Sequence, residues 1–280
     1  PEQQRIVDLI STVDSYIEAL RQQLERAMVS RNAVLHELLT AGGDGWVQTT
    51  LGDVAEVVGG GTPSTSVPEY WDGDIVWLTP TEVTSQDGKI VTDSTRKITS
   101  AGLRGSGAQL LPKGSVVLTS RASVGYVAIA GTELCTNQGF QSLVPGGSVL
   151  AEFLLFWVQR NRSEFESRSA GSTFKEISKS NVKSVKLSLP PLPEQKRIVD
   201  LISTVDSYIE ALRQQLERAK ISRNAVLHEL LNSLLPEDTR PLIELAKLQR
   251  GHDLPTQARV EGLIPVVASN GVVGYHNTHK

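Results

Sequence analysis

The sequence predicts an α+β fold in which one mixed α/β domain is flanked by long coiled-coil helices. Three observations predict it. The 39 residues from Pro1 return at Pro193 with only three changes, Gln4/Lys196, Met28/Lys220 and Val29/Ile221. Both copies place apolar residues at alternating spacings of four and three, the period of a coiled coil. The block between them alternates short β-like runs, Gly/Pro/Ser loops and a helical stretch.

In the first copy Ile6, Ile10, Val13, Ile17, Leu20, Leu24 and Ala27 form an apolar seam. The second copy repeats it at Ile198, Ile202, Val205, Ile209, Leu212, Leu216 and Ala219. Proline precedes each helix, where its missing N–H costs nothing, and the glycines of "TAGGDG" stop the first. About 35 residues at 1.5 Å each make a rod of roughly 50 Å. An amphipathic helix of that length cannot bury its seam alone, and the second copy supplies a partner. Pairing within one chain or between two chains stays open, as does a plain dimerising coiled coil.

Residues 47–190 read as one α+β domain of ordinary size. "TTLGDVAEVVGGGTPSTS" runs from an apolar stretch into a loop. "DIVWLTP", "GSVVLTS", "VGYVAIAG" and "GFQSLVP" are strand-like, and "SVLAEFLLFWVQRNRSEFESRS" is helical, with Leu150, Phe153, Leu154, Trp157 and Val158 on one face. "GSTFKEISKSNVKSVKLSLPPLPEQ" gives a short helix, a strand and a proline exit. The organisation is therefore a long helix at 1–46, a domain at 47–190, a second long helix at 191–236 and the start of another domain at 237–280.

Composition excludes several classes. No apolar run reaches the length of a membrane span, and no signal-peptide pattern opens the chain. The lone Cys135 fits a reducing cytoplasm. The net charge of −3 excludes a globally basic surface. Seven cations against three glutamates between Arg160 and Lys186 leave a local basic patch or a solvated helix face. The glycines at 59–61 lack the Gly-Lys-Ser/Thr of a phosphate loop, and none of the five histidines (His36, His228, His252, His276, His279) falls in the middle domain. No Cys/His cluster has metal-ligand spacing, Asp72 and Asp74 read as a turn, and no methyltransferase Asn/Asp-Pro-Pro-aromatic motif occurs. The expectation is a non-catalytic protein with no cofactor and no metal.

Several ordered segments carry a resemblance. "LGDVAEVVGGGTPST" with "PEYWDGDIVWLTPTEV", "LTSRASVGYVAI", "CTNQGFQSL", "GSTFKEIS" and "LPPLPEQKRIVDLI" closely resemble the specificity subunit of type I restriction–modification systems. The final "PLIELAKLQRGHDLPTQARVEGLIPVVASNGVVGYHNTHK" is similar to the start of a second target-recognition domain. The resemblance implies two recognition domains separated by two long helices that pair antiparallel. Each domain reads half of a split site in double-stranded DNA, and the coil sets their separation. Implied partners are methyltransferase subunits and the motor–nuclease subunit, with a second specificity chain as a further option. The subunit has no active site of its own. The order here departs from the usual one, because a rod precedes the first recognition domain. Circular rearrangement, recombination or truncation would each give that order.

Candidate DNA contacts lie in polar loops of the middle domain. Thr62, Ser64 and Thr65 either approach phosphates and bases or form a turn. Arg121 and Ser123 sit in a polar loop suited to base or phosphate. Asn137 and Gln138 carry amides suited to adenine, or brace a turn. Ser172, Thr173 and Lys175 precede a short helix whose N–H groups attract phosphate. Trp71, Trp77, Phe140 and Trp157 read as core. The coil interface is expected at Ile6, Ile10, Val13, Ile17, Leu20, Leu24, Ile198, Ile202, Val205, Ile209, Leu212 and Leu216. The alternatives are a coiled-coil spacer that reads no DNA, or a specificity subunit of another restriction class.

Overall fold

The computed structural model describes residues 2–171, 175–233, 244, 254, 256–268 and 271–278, and the chain divides into two units, Pro1–Arg223 and Asn224–Lys280. The first unit opens with α1 (Glu2–Thr40), followed by β1 (Val47–Thr50), α2 (Leu51–Val54), β2 (Ala55–Gly59), β3 (Trp71–Leu78), α3 (Pro80–Ser85), β4 (Ile90–Val91), β5 (Lys97–Ile98) and α4 (Ser100–Arg104). Then come β6 (Val116–Leu118), β7 (Val127–Ala130), β8 (Leu134–Thr136), β9 (Gln141–Pro145), α5 (Ala151–Arg160), α6 (Arg162–Ser167), α7 (Lys179–Lys183) and β10 (Lys186–Leu189). The second rod is α8 (Leu192–Ser233), whose last turns belong to the second unit. No helix among the described residues is long and apolar enough to cross a membrane.

The chain enters and leaves the domain through one ladder. β1 pairs antiparallel with β10, from Val47 opposite Leu189 to Thr50 opposite Lys186. That ladder brings the end of α1 and the start of α8 to one place. α1 therefore runs toward the ladder and α8 away from it, so the two pair antiparallel within one chain. Their contact buries Ile17, Leu20, Leu212 and Leu216, with Val13, Leu24, Ala27 and Ala219 partly buried against them.

Two ion pairs fix the register. Arg31 holds Asp206 through Nε to Oδ1 at 2.6 Å and Nη2 to Oδ2 at 2.9 Å. Arg223 holds Asp14 in the same way, at 2.8 and 3.1 Å. The 192-residue repeat makes these one contact seen twice, since Arg31 corresponds to Arg223 and Asp14 to Asp206. Two identical helices packed parallel in register would set Asp against Asp and Arg against Arg. The hydrogen bond from Arg223 holds the Asp14 carboxyl below its usual range.

The coil then merges into the domain core. Leu35 and Leu39 of α1 join Ile198 and Ile202 of α8 in one buried cluster with Phe153, Leu154 and Trp157 of α5. Each fully buried Leu or Ile contributes about 1.5–3 kcal/mol, so rod and domain form one body. Leu35 and Leu39 lie off the apolar stripe read from the sequence. A straight helix drifts from a strict heptad, so the buried face rotates from the partner helix toward α5. Gln195 completes the joint and is fully buried. Its Nε2 donates to the carbonyls of Ser148 and Pro190 at 2.9 and 2.8 Å, and its Oε1 accepts from Leu150 N–H at 2.9 Å.

Within the domain a five-stranded sheet runs β2-β9-β6-β7-β4 and a three-stranded sheet runs β5-β3-β8. The helix expected over 148–169 is two helices, α5 and α6. Asn161 interrupts it with φ −104° and ψ 24°, and its side-chain Nδ2 donates to Trp157 O at 2.8 Å. β8 was not legible as a strand, yet it places Cys135 wholly out of solvent. Burial pushes that thiol up to about 11. Since the thiolate is the reactive form, the native protein should resist iodoacetamide at mildly alkaline pH and label fully in urea. Equal labelling rates in the two states would contradict this placement.

The second unit holds, besides the last turns of α8, a short 3-10 turn at Thr256–Ala258 and a hairpin of β11 (Ile264–Ala268) and β12 (Gly271–His276). The strands are antiparallel with an irregularity between Val266 and Val267. Of residues 237–280, only 244, 254, 256–268 and 271–278 are described; His252 and His279 lie outside the described residues.

Candidate nucleic-acid interface

Four polar loops far apart in sequence meet on one face of the domain. The Gly-rich loop after β2 lies against the loop after β8: Gly61 N–H donates to Thr136 O at 2.9 Å, and the Thr62 hydroxyl donates to Gln138 Oε1. The loop after β8 meets the loop after β6 through Ser120 N–H to Gly139 O at 2.7 Å. The loop after β6 meets the segment before α7 through Ala122 N–H to Lys175 O and Ile177 N–H to Ser120 O, both 2.9 Å.

The glycines serve close approach, not a phosphate cradle. A Cβ on Gly60 would fall 1.9 Å from Asn137 O, and one on Gly61 would fall 2.2 Å from the Gly107 carbonyl carbon. Both obstacles are backbone. Gly60→Ala should therefore destabilise the domain by about 1–3 kcal/mol or more, whereas Gly107→Ala, with nothing within 4 Å, should melt like the parent. Equal melting temperatures for the two variants would refute the close approach.

Both tryptophans of β3 pin this loop from below. Trp77 Nε1 donates to Gly61 O at 2.9 Å and Trp71 Nε1 to Ser64 O at 3.1 Å. Their rings meet edge to face at 5.1 Å, and the Arg96 guanidinium covers Trp71 at 3.6 Å. They are buried, as are Phe140 and Trp157. Their anchoring role was missed, because nothing in sequence links an indole N–H to a carbonyl several residues away.

Thr62, Ser64, Thr65, Gln138 and Lys175 are exposed. Ser64 Oγ shares a 2.7 Å hydrogen bond with Ser66 Oγ. Asn137 is half-buried, and its Oδ1 accepts from Gly139 N–H at 2.8 Å, so its carbonyl end braces the turn. Arg121 is exposed but paired: Nε and Nη2 both reach Glu176 Oε2, at 3.0 and 2.7 Å. Glu176 was not singled out in sequence, since its partner lies 55 residues away. Ser123 N–H closes a tight turn on Arg121 O at 2.8 Å, and Ala122 between them takes φ +62°. Ser172 and Thr173 lie outside the described residues. Lys175 is not at a helix N-terminus. α7 starts at Lys179, and Ser178 caps it by accepting from Asn181 N–H at 3.2 Å.

An arginine outside the loops holds one of them. Arg162, opening α6, donates through Nε to Gly125 O at 3.1 Å, pairs with Asp87 and stacks on Tyr126 at 3.9 Å. Asp87 Oδ1 in turn accepts from Val127 N–H at 3.0 Å. The loop carrying Arg121 is thus fixed at its base.

Fold and loop face together define a class: a mixed α/β module with a polar loop surface cross-linked by hydrogen bonds, borne on an antiparallel helix pair. The chain belongs to the family described as the type I restriction modification DNA specificity domain, whose model matches residues 43–220. It is 38% identical over 174 residues to the type I restriction enzyme MjaIX specificity subunit of Methanocaldococcus jannaschii, covering 61% of this chain and 40% of that one. It is 26% identical over 177 residues to the EcoR124I/EcoR124II specificity subunit of Escherichia coli, covering 60% and 43%. The crystal structure of the HsdS subunit from Thermoanaerobacter tengcongensis shares the fold with a TM-score of 0.61 at 22% identity, over 82% of this chain and 57% of that one. The chain thus spans about two-fifths of the length of these curated relatives.

Proposed function

We propose that this chain is the sequence-reading part of a type I restriction–modification complex and has no catalysis of its own. The loop face around Thr62, Arg121, Gln138 and Lys175 contacts one half of a bipartite site in double-stranded DNA, and the paired rods set the distance to a second reader. Residues 47–190 are the reader, 1–46 and 191–236 the rods, and 237–280 the first part of a second recognition domain. Methyltransferase subunits dock on this assembly and the motor–nuclease subunit joins them, in the cytoplasm.

The observation that supports this reading most is the convergence of four polar loops on one rigid face. Hydroxyls and amides held in place suit base edges, while flexible cations would only hold phosphates. The ion pair of Arg121 with Glu176 fits a reader, because a paired guanidinium arrives in one orientation.

The test is to co-express the chain with its methyltransferase and map methylated sites by single-molecule sequencing. A split motif is expected for the parent. Arg121→Ala should lose or relax one half-site at unchanged melting temperature, by about 1–3 kcal/mol of discrimination. A parent that methylates no defined motif would refute DNA reading, and an Arg121→Ala methylome identical to the parent's would remove Arg121 from it.

A further inference from the structure

The reading face has little charge to offer phosphates. Arg121 is already paired with Glu176, which leaves Lys175 as the exposed cation among its described contact residues. Phosphate neutralisation nonetheless supplies much of the affinity of DNA-binding proteins, so the cations should lie nearby.

An open cleft of about 1280 Å³ lies between the rod pair and the domain. Its walls are the C-terminal third of α1, the middle of α8, the turn at 87–89 and the junction of α5 with α6. Three carboxylates line it, and each already has an arginine: Asp206 has Arg31 at 2.6 Å, Asp87 has Arg162, and Glu210 has Arg213 at 3.5 Å. Lys89 and Arg160 are left as surplus. Both are exposed, and neither makes an ion pair among the described residues. Arg160 Nη2 lies 2.7 Å from His36 Nδ1, so this imidazole serves as acceptor and directs the guanidinium.

We infer that this cleft is a second DNA contact, where Lys89 and Arg160 each take a phosphate of the duplex beside the half-site. The inference rests on the DNA reading above. Continuity with the reading face favours DNA over an acidic protein segment: Arg162 in the cleft wall is bonded to Gly125 of the loop that carries Arg121. A duplex spanning two readers also runs along the rod that separates them, and the rod is one wall of the cleft. Contacts made there touch only the backbone, which leaves the spacer unread.

The experiment uses the complex of this chain with its methyltransferase, titrated with a cognate and a scrambled duplex from about 50 to 200 mM salt. For the double variant Lys89→Ala/Arg160→Ala, the slope of log affinity against log salt should fall by roughly 2, about 0.9 for each lost phosphate contact. Affinity should drop equally on both duplexes while the methylated motif stays the same. An unchanged slope overturns the inference. So does dissociation of the methyltransferase at unchanged slope, which would assign the cleft to a protein partner. A parent complex that shows a salt slope but no preference for the cognate duplex would sink the sequence-reading proposal and leave the cleft contact standing.

Discussion

Ile17→Asp should lower the stability of this protein by roughly 3 kcal/mol or more, while Tyr16→Asp, one position away, should leave it within about 0.5 kcal/mol. Ile17 is 6% exposed in the cluster with Leu20, Leu212 and Leu216, whereas Tyr16 is 54% exposed. The substitution removes a buried apolar side chain and puts a carboxylate in its place, against the apolar side chains of Leu20, Leu212 and Leu216. The pair is checked by urea or thermal unfolding of the whole chain followed by circular dichroism. Superimposable curves for parent and Ile17→Asp would mean that the helices do not hold each other, and the rod would lose its role as a spacer.

The second large effect separates two glutamines that sequence cannot tell apart. Gln195→Ala should cost about 2–4 kcal/mol, whereas Gln3→Ala, at the equivalent position of the first copy, should cost next to nothing in this chain. The Gln195 amide makes three buried hydrogen bonds that tie the start of α8 to the loop before α5 and to the domain exit. Its loss leaves two carbonyls and one N–H without partners, each worth about 1–3 kcal/mol at full burial and less where water enters. Gln3 is exposed. Gln195→Ala should also loosen the domain on its rod, so protease sensitivity near 190 should rise together with the fall in melting temperature. Equal behaviour of the two alanine variants would refute the joint.

Much of the architecture was legible because its signals are local. The heptad spacing from Ile6 to Ala27 names a coiled coil without any coordinates, and β-branched runs bounded by glycine locate β3, β6, β7 and β9. The polar loops were legible as loops. What escaped depended on partners distant in the chain. β8 reads as an irregular stretch until β3 lies beside it in parallel. Glu176 gains its meaning only from Arg121, and the tryptophans only from the loop above them. Leu35 and Leu39 fell outside the expected seam because they pack against the domain as well as against the start of the other helix.

By itself the sequence determined that two near-identical helices must find apolar partners and that a mixed domain stands between them, since periodicity and composition are properties of neighbours along the chain. The direction in which the helices pair was decided only in three dimensions, by a short ladder between β1 and β10 that brings both rods to one point and sets aspartate against arginine. The convergence of four loops on one face was likewise decided there, because hydrogen bonds across 55 or 76 residues exist only after the sheets have formed.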